Sequence, residues 1–257
     1  MVPDIEVETR DRVLWIRMVR PEVLNALDGA MMTVIAEALE SAQGRDDLGS
    51  VVLTGTGPGF SAGADMASLQ LAPQFPRETM AGANRVIRAV VGLDKPVLAA
   101  VNGIAAGVAC SAALASDLIV ATESASFLLP FTRLGLMTDG GSSASVAASI
   151  GRARAMRMAL LAEPMTAREA YDVGLITHVV ADDEFEALVD KLARRLAAGP
   201  AIAQTAVKKA INAATLGQLE QALDREDSGQ RALFTTADFH EGLAAFLERR
   251  SPTFRGE

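Results

Sequence analysis

The stretch Lys95–Ala121, KPVLAAVNGIAAGVACSAALASDLIVA, decides the fold. Val97–Val101 is a short apolar run between Pro96 and the turn pair Asn102-Gly103, the pattern of a buried strand that stops abruptly. Small residues then run from Ala105 through Ala115, with Gly107 near the start, and suit a helix packed on all sides. Leu118–Ala121 reads as a second buried strand. A strand, a tight Gly turn and a buried helix set a helix N-terminus inside the protein. Its first N–H groups have no intrahelical partner, and the dipole makes that end partially positive. An anion, or an oxygen that gains charge during a reaction, is stabilised there. A purely structural small-residue crossing accounts for the same pattern. A nucleotide phosphate loop does not, because Gly103-Ile-Ala-Ala-Gly107 carries neither a dinucleotide fingerprint nor a Walker lysine.

Working outward, 257 residues are enough for one large domain with a generous core. Half of them are hydrophobic but only 4% are aromatic, so the core is aliphatic. A net charge of −8 without a Lys/Arg block argues against nucleic-acid binding. Any anionic ligand must then be met by backbone N–H groups and a few placed cations. The single cysteine, Cys110, excludes an intramolecular disulfide and a cysteine-rich metal site, and it reads as a packing residue. His178 and His240 lack ligand spacing, so no metal is expected. No apolar run is long enough to span a membrane, and MVPDIEVETR resembles neither a signal nor a transit peptide. The expectation is a cytoplasmic protein.

N-terminal to the central stretch, Ile5–Glu8 and Val13–Met18 alternate around Arg10-Asp11-Arg12 and predict a hairpin, with Trp15 in the core. Asp28 is a good N-cap for a helix carrying Met31, Val34, Ile35, Ala38 and Leu39. Val51–Leu53 is a buried strand, followed by GTGPGFSAGADM. Glycines there imply unusual backbone angles and N–H groups close to a ligand, whereas Phe60, Ala62 and Ala64 suit an ordinary surface loop poorly. Ala67–Thr79 shows no period and is expected to be mobile; Met80–Leu93 resumes as a helix.

Beyond the central stretch, Ser124–Phe131 reads as strand. Gly135–Gly141 is a turn into a helix over Ser142–Ile150, ended by Gly151, and Ala153–Leu161 is a further helix. Thr166-Ala-Arg-Glu169 is a capping box, and Leu175–Val180 a last strand. Helices are expected at Glu184–Ala197, Ala201–Ala214, Leu219–Phe234 and Phe239–Arg249. The break at Gly199-Pro200 divides the chain into 1–198 and a helical 199–257.

Together RPEVLNAL, GPGFSAGADM, the Lys95–Ala121 stretch, GLMTDGGSS, LLAEPMTAREAYDVGLI and DFHEGLAAFLERRSPTF resemble the crotonase superfamily, the enoyl-CoA hydratase/isomerase family, nearly end to end. The resemblance implies an α/β spiral of ββα repeats holding an acyl-CoA site, and a helical C-terminal region that drives assembly into a homotrimer or a hexamer. It implies an acyl-CoA thioester as substrate, coenzyme A being part of that substrate and no separate cofactor being needed. By position, the backbone N–H groups of Ala64 and Val108 form the oxyanion hole. Val108 stands where glycine is more usual, which narrows the pocket. The resemblance puts the coenzyme A adenine near Asn25, Ala26 and Leu27 and along Ala62, Gly63, Asp65 and Met66. Arg250 and Phe254 are assigned to a neighbouring subunit's site.

The sequence departs from hydratases, which carry two glutamates around one water. Ser111 and Phe131 stand at those positions, so efficient hydration is not expected. One carboxylate remains. Asp139, in GLMTDGG, matches the place where ring-modifying and dienoyl isomerases of the family carry an aspartate. A single carboxylate suffices for a double-bond shift. An aspartate before Gly-Gly-Ser-Ser is equally a good helix N-cap. The resulting expectation is an enoyl-CoA isomerase; an atypical hydratase and a non-catalytic acyl-CoA binder are the alternatives.

Overall fold

In the computed structural model, which describes residues 4–66 and 75–257, odd- and even-numbered strands from β3 to β8 go to different sheets. The hairpin β1 (Ile5–Arg10) and β2 (Val13–Met18) opens the chain. Asp11 and Arg12 both take positive φ (52° and 63°), as a two-residue turn matching strand twist requires. Then follow α1 (Gly29–Ser41), β3 (Ser50–Gly55), β4 (Gly59–Ser61) and α2 (Phe75–Gly92). The central stretch supplies β5 (Val97–Val101), β6 (Ile104–Ala106), α3 (Gly107–Leu114) and β7 (Leu118–Thr122). After these come β8 (Ser126–Leu128), α4 (Ser142–Leu161), β9 (Met165–Thr166), α5 (Ala167–Asp172) and β10 (His178–Val180). Four helices close the chain: α6 (Phe185–Ala197), α7 (Ala201–Thr215), α8 (Leu219–Leu233) and α9 (Ala237–Leu247).

The large sheet has the order β1-β2-β3-β5-β7-β10, parallel except for the hairpin; the small one runs β4-β6-β8-β9. From β3 to β8 each ββα turn therefore contributes one strand to each sheet, which is the expected α/β spiral. The central strands β3, β5 and β7 are covered on both faces and read as largely apolar runs, whereas the edge strand β1 is mostly exposed. Leu14, Ile16, Val51, Leu53, Val97, Ala99 and Ile119 face the main core with α1, α2 and α3. Their alternates Trp15, Val52, Leu98 and Val120 pack against Phe185, Val189 and Ala193 of α6. Trp15 is a core residue as expected, with Arg10 and Arg17 over its ring.

Local signals set the helix starts. Asp28 Oδ1 accepts from Met31 N at 2.8 Å, and Thr166 Oγ1 from Glu169 N at 3.2 Å. Gly151 (φ 77°, ψ 159°) breaks α4 where a helix end was expected. Three expectations need correction. Ile104–Ala106 is strand rather than the approach to a helix, because β4 and β8 flank it with open backbone groups. Strand β8 stops at Leu128, since Pro130 leads into a tight 3-10 turn over Phe131–Leu134. Helix α2 begins at Phe75, so Phe75–Thr79 is helical; the remainder of the segment expected to be mobile, 67–74, lies outside the described residues.

The C-terminal helices fold back on this core. Lys208 of α7 is buried, with Nζ 2.8 Å from Asp117 and donating to the carbonyls of Val90 and Lys95. Burial raises the Asp117 carboxyl above its ordinary value, and the Lys208 charge works against that rise. Helix α8 packs between α2 and α4.

Candidate active site

The two Gly-rich stretches meet at backbone contact. A Cβ added to Gly63 would lie 2.7 Å from the Ala106 carbonyl oxygen, and Gly63 sits at φ +89°. Gly107 opens α3 at φ +55°, a conformation side chains rarely adopt. Ala64 forms a parallel bridge with Leu27, built from Leu27 N donating to Gly63 O and Asp65 N donating to Leu27 O. Backbone N–H groups alternate along an extended segment, so the Ala64 N–H faces away from Leu27. No described residue accepts a hydrogen bond from the N–H of Ala64 or of Val108. Helix α3 has no side-chain cap. Two free donors, one at a helix N-terminus, thus flank the same cleft.

That cleft holds about 810 Å³. Ala62, Ala64, Met66, Gly107, Val108 and Phe131 line it, and Asp139 and Gln230 add polar groups to the same wall. Arg250 and Phe254, expected at a neighbouring subunit's site, line this cleft in the same chain. Burying a ligand among such apolar walls strengthens each polar contact made there.

Asp139 is only 7% exposed. Its Oδ2 accepts from Gln230 Nε2 at 2.9 Å, whereas Oδ1 is buried and receives no hydrogen bond from any described residue. Burial pushes the carboxyl up to about 7; the Gln230 amide pulls it down, and the Glu226 charge adds to the rise. Asp139 does not cap α4. That duty falls to Glu226, whose Oε2 accepts from Gly141 N at 2.6 Å and Oε1 from Ser143 N at 3.0 Å. The Asp139 carbonyl accepts from Ser111 Oγ and Ser142 Oγ, both at 2.8 Å. Ser111 is therefore spent on fixing the Asp139 backbone. The adjacent turn requires glycine at 140, since an added Cβ would stand 2.7 Å from Ser111 Cβ.

The remaining expected contacts separate. Asn25 is wholly buried, with Oδ1 accepting from Arg20 N and Nδ2 donating to Thr56, Gly59 and Phe60 carbonyls. It ties the 3-10 turn Pro21–Val23 to the loop carrying Thr56, Gly59 and Phe60, and its side chain is not in the cleft wall. Ala26, Leu27, Gly63 and Asp65 likewise lie outside the cleft lining, and Asp65 pairs with Arg20 at 3.3 Å. Buried Cys110, whose thiol burial pushes up to about 12, is a packing residue.

Glu226 and Gln230 were missed by the sequence reading. The signal was available: Leu219, Ala222, Leu223, Glu226 and Gln230 form one helical stripe, and the two polar residues on it are completely buried. No group of metal-ligating side chains occurs among the described residues, and no helix there is long and apolar enough to cross a membrane.

A family model for enoyl-CoA hydratase/isomerase matches residues 8–257. The chain is 37% identical over 250 residues to the 1,2-epoxyphenylacetyl-CoA isomerase of Escherichia coli, covering 95% of each. It is 41% identical over 254 residues to a probable enoyl-CoA hydratase of Rhodobacter capsulatus, covering 98% of each. A solved structure of an enoyl-CoA hydratase from Mycobacterium avium subsp. paratuberculosis matches with a TM-score of 0.93 at 46% identity, over 99% of this chain and 100% of that one. Spiral, paired Gly loops and end-to-end similarity agree: this chain belongs to the enoyl-CoA hydratase/isomerase family, acyl-CoA enzymes of the crotonase superfamily.

Proposed function

We propose that the protein is an enoyl-CoA double-bond isomerase with Asp139 as its single acid–base group. One observation carries this reading: a buried carboxyl lining the cleft, freed from helix capping, keeps one oxygen without a partner among the described residues. Ionised Asp139 removes a proton from one carbon of the acyl chain, and the electron pair moves into the thioester carbonyl. The N–H groups of Ala64 and Val108 hold the resulting oxyanion, and each such donor is worth about 100- to 1,000-fold in rate. The protonated carboxyl then returns its proton to a different carbon, which moves the double bond and regenerates the base. A carboxyl raised to about 7 suits both halves of this cycle, since it gives up and takes back a proton near neutral pH. Turnover rises with pH through that value, because the cycle starts from the carboxylate.

Phe131 supports isomerisation over hydration. Its ring tip lies 4.0 Å from a Cβ built on Gly107, and the residue offers no proton where a hydratase holds a glutamate. The apolar cleft suits a bulky acyl group, and the epoxyphenylacetyl-CoA isomerase among the relatives makes a ring-bearing acyl-CoA the second substrate reading. Ala62, Met66, Arg250 and Phe254 are assigned to the coenzyme A portion. Assembly as trimers, or dimers of trimers, would cover Ile202, Val207 and Ile211, exposed on α7; a monomer mass by light scattering would count against it.

The deciding experiment is proton NMR in D2O with 2-enoyl-CoA and 3-enoyl-CoA offered separately to the wild type and Asp139→Asn. Deuterium incorporation with a moved double bond, lost by about 100- to 10,000-fold in the variant, is the expected result. Accumulation of 3-hydroxyacyl-CoA would make it a hydratase instead. Binding without turnover across ring-bearing and straight-chain substrates would make it an acyl-CoA carrier.

A further inference from the structure

Among polar groups that the acid–base reading leaves without a role, Gln230 makes the most specific contacts. It is completely buried on α8, lines the cleft, and spans two partners on one turn. Its Nε2 donates to Asp139 Oδ2 at 2.9 Å, and its Oε1 accepts from Met137 N at 3.2 Å. These two contacts fix which way the amide faces. With nitrogen and oxygen exchanged, a carbonyl would oppose the carboxylate and an NH2 would oppose the Met137 N–H, so both contacts would repel. A neutral amide also orients the carboxyl without a full charge. A lysine or arginine there would hold Asp139 ionised and spoil it as an acid, whereas a second carboxylate would disfavour its ionised form. The same helix carries Glu226 one turn earlier, which takes over the α4 N-terminus through Gly141 and Ser143.

We infer that Gln230 is the positioning residue of this site: its amide clamps one oxygen of Asp139 and so fixes the orientation in which the carboxyl meets the acyl group. The clamp rests on the acid–base reading proposed above, and α8 thereby completes a site whose other parts come from the ββα core. The charged group that acts on Asp139 is Glu226, on the helix that carries Gln230; Arg225 beside it acts on Glu226, and both are retained in the test.

The test compares the wild type with Gln230→Met, which keeps the length and removes the donor, and Gln230→Asn, which stays polar but withdraws it. Carboxyl infrared bands, assigned by difference against Asp139→Asn, give the titration midpoint of Asp139 without substrate. The expected result is a midpoint moved to higher pH and kcat reduced by about 10- to 100-fold. KM should stay within about twofold, because the lost contact is not one with bound substrate. A folded variant with unchanged midpoint and unchanged kcat overturns the clamp, as does a loss that appears only in thermal stability. If Gln230→Met does not fold, the same comparison is decided by Gln230→Asn. Full turnover by Asp139→Asn removes the acid–base reading and with it the clamp's catalytic meaning. That result is separable from the first, since the infrared midpoint is read with no substrate present.

Discussion

Helices α3 and α4 both begin at the cleft, and their N-termini are treated in opposite ways. At α3 the first turn is buried, carries no side-chain cap, and leaves the Val108 N–H without an acceptor among the described residues. At α4 the N–H groups of Gly141 and Ser143 are closed by both oxygens of Glu226. Buried donors left unsatisfied cost free energy, so a fold keeps them only where something else supplies the acceptor. The open terminus is where a developing oxyanion can be held. The closed one takes its cap from α8, which leaves the nearby Asp139 carboxyl out of the capping and available for the proposed chemistry. An uncapped helix and a borrowed cap are thus two halves of one arrangement.

Breaking the open half should have the largest effect. Val108→Pro removes the N–H at a first-turn position where no intrahelical bond is lost. Turnover should fall by about 100- to 1,000-fold with the circular dichroism spectrum unchanged. A variant that turns over normally would mean that α3 is uncapped for packing alone.

Asp139 itself supplies the next test, through stability. The unfolded chain releases this proton near the ordinary value of 3.8, while the folded chain keeps it to about 7. Between those values the folded state binds more protons, so its stability falls as pH rises and levels off above 7. Asp139→Asn removes that penalty. Urea denaturation should show the two proteins alike near pH 4 and the variant more stable by roughly 2–4 kcal/mol at pH 8. Equal stabilities across that range would show that the carboxyl is not held in a desolvated site.

Opening the closed half gives the smallest effect and the sharpest contrast. Glu226→Ala strips the α4 cap and should cost about 2 kcal/mol of stability. It also removes a neighbouring negative charge, so the Asp139 midpoint should move to lower pH, opposite to the shift expected for Gln230→Met. Movement in the same direction in both variants would show that the two α8 residues do not act on Asp139 independently.

Legibility from sequence followed how local each cause was. The central strands of the large sheet were readable because both faces are buried, and Val97–Val101 and Leu118–Thr122 announce themselves as apolar runs between turns. Asp28, Thr166 and Gly151 could be read because a cap or a break depends on residues within one turn. The strand Ile104–Ala106 was not readable, because three residues have no period and its pairing partners, β4 and β8, come from elsewhere in the chain.

The sequence by itself determined the ββα rhythm, the paired Gly loops, and the absence of a carboxylate at Ser111 and Phe131. It left Asp139 balanced between capping and chemistry, since both uses place the same residue before the same Gly-Gly-Ser-Ser. Only the tertiary structure decided against capping, by bringing Glu226 to the helix N-terminus from 85 residues away and Gln230 to the carboxyl from 91. Local rules fix which groups need partners, but a buried group's partner is whatever the fold delivers to it, and that delivery depends on packing across the whole chain.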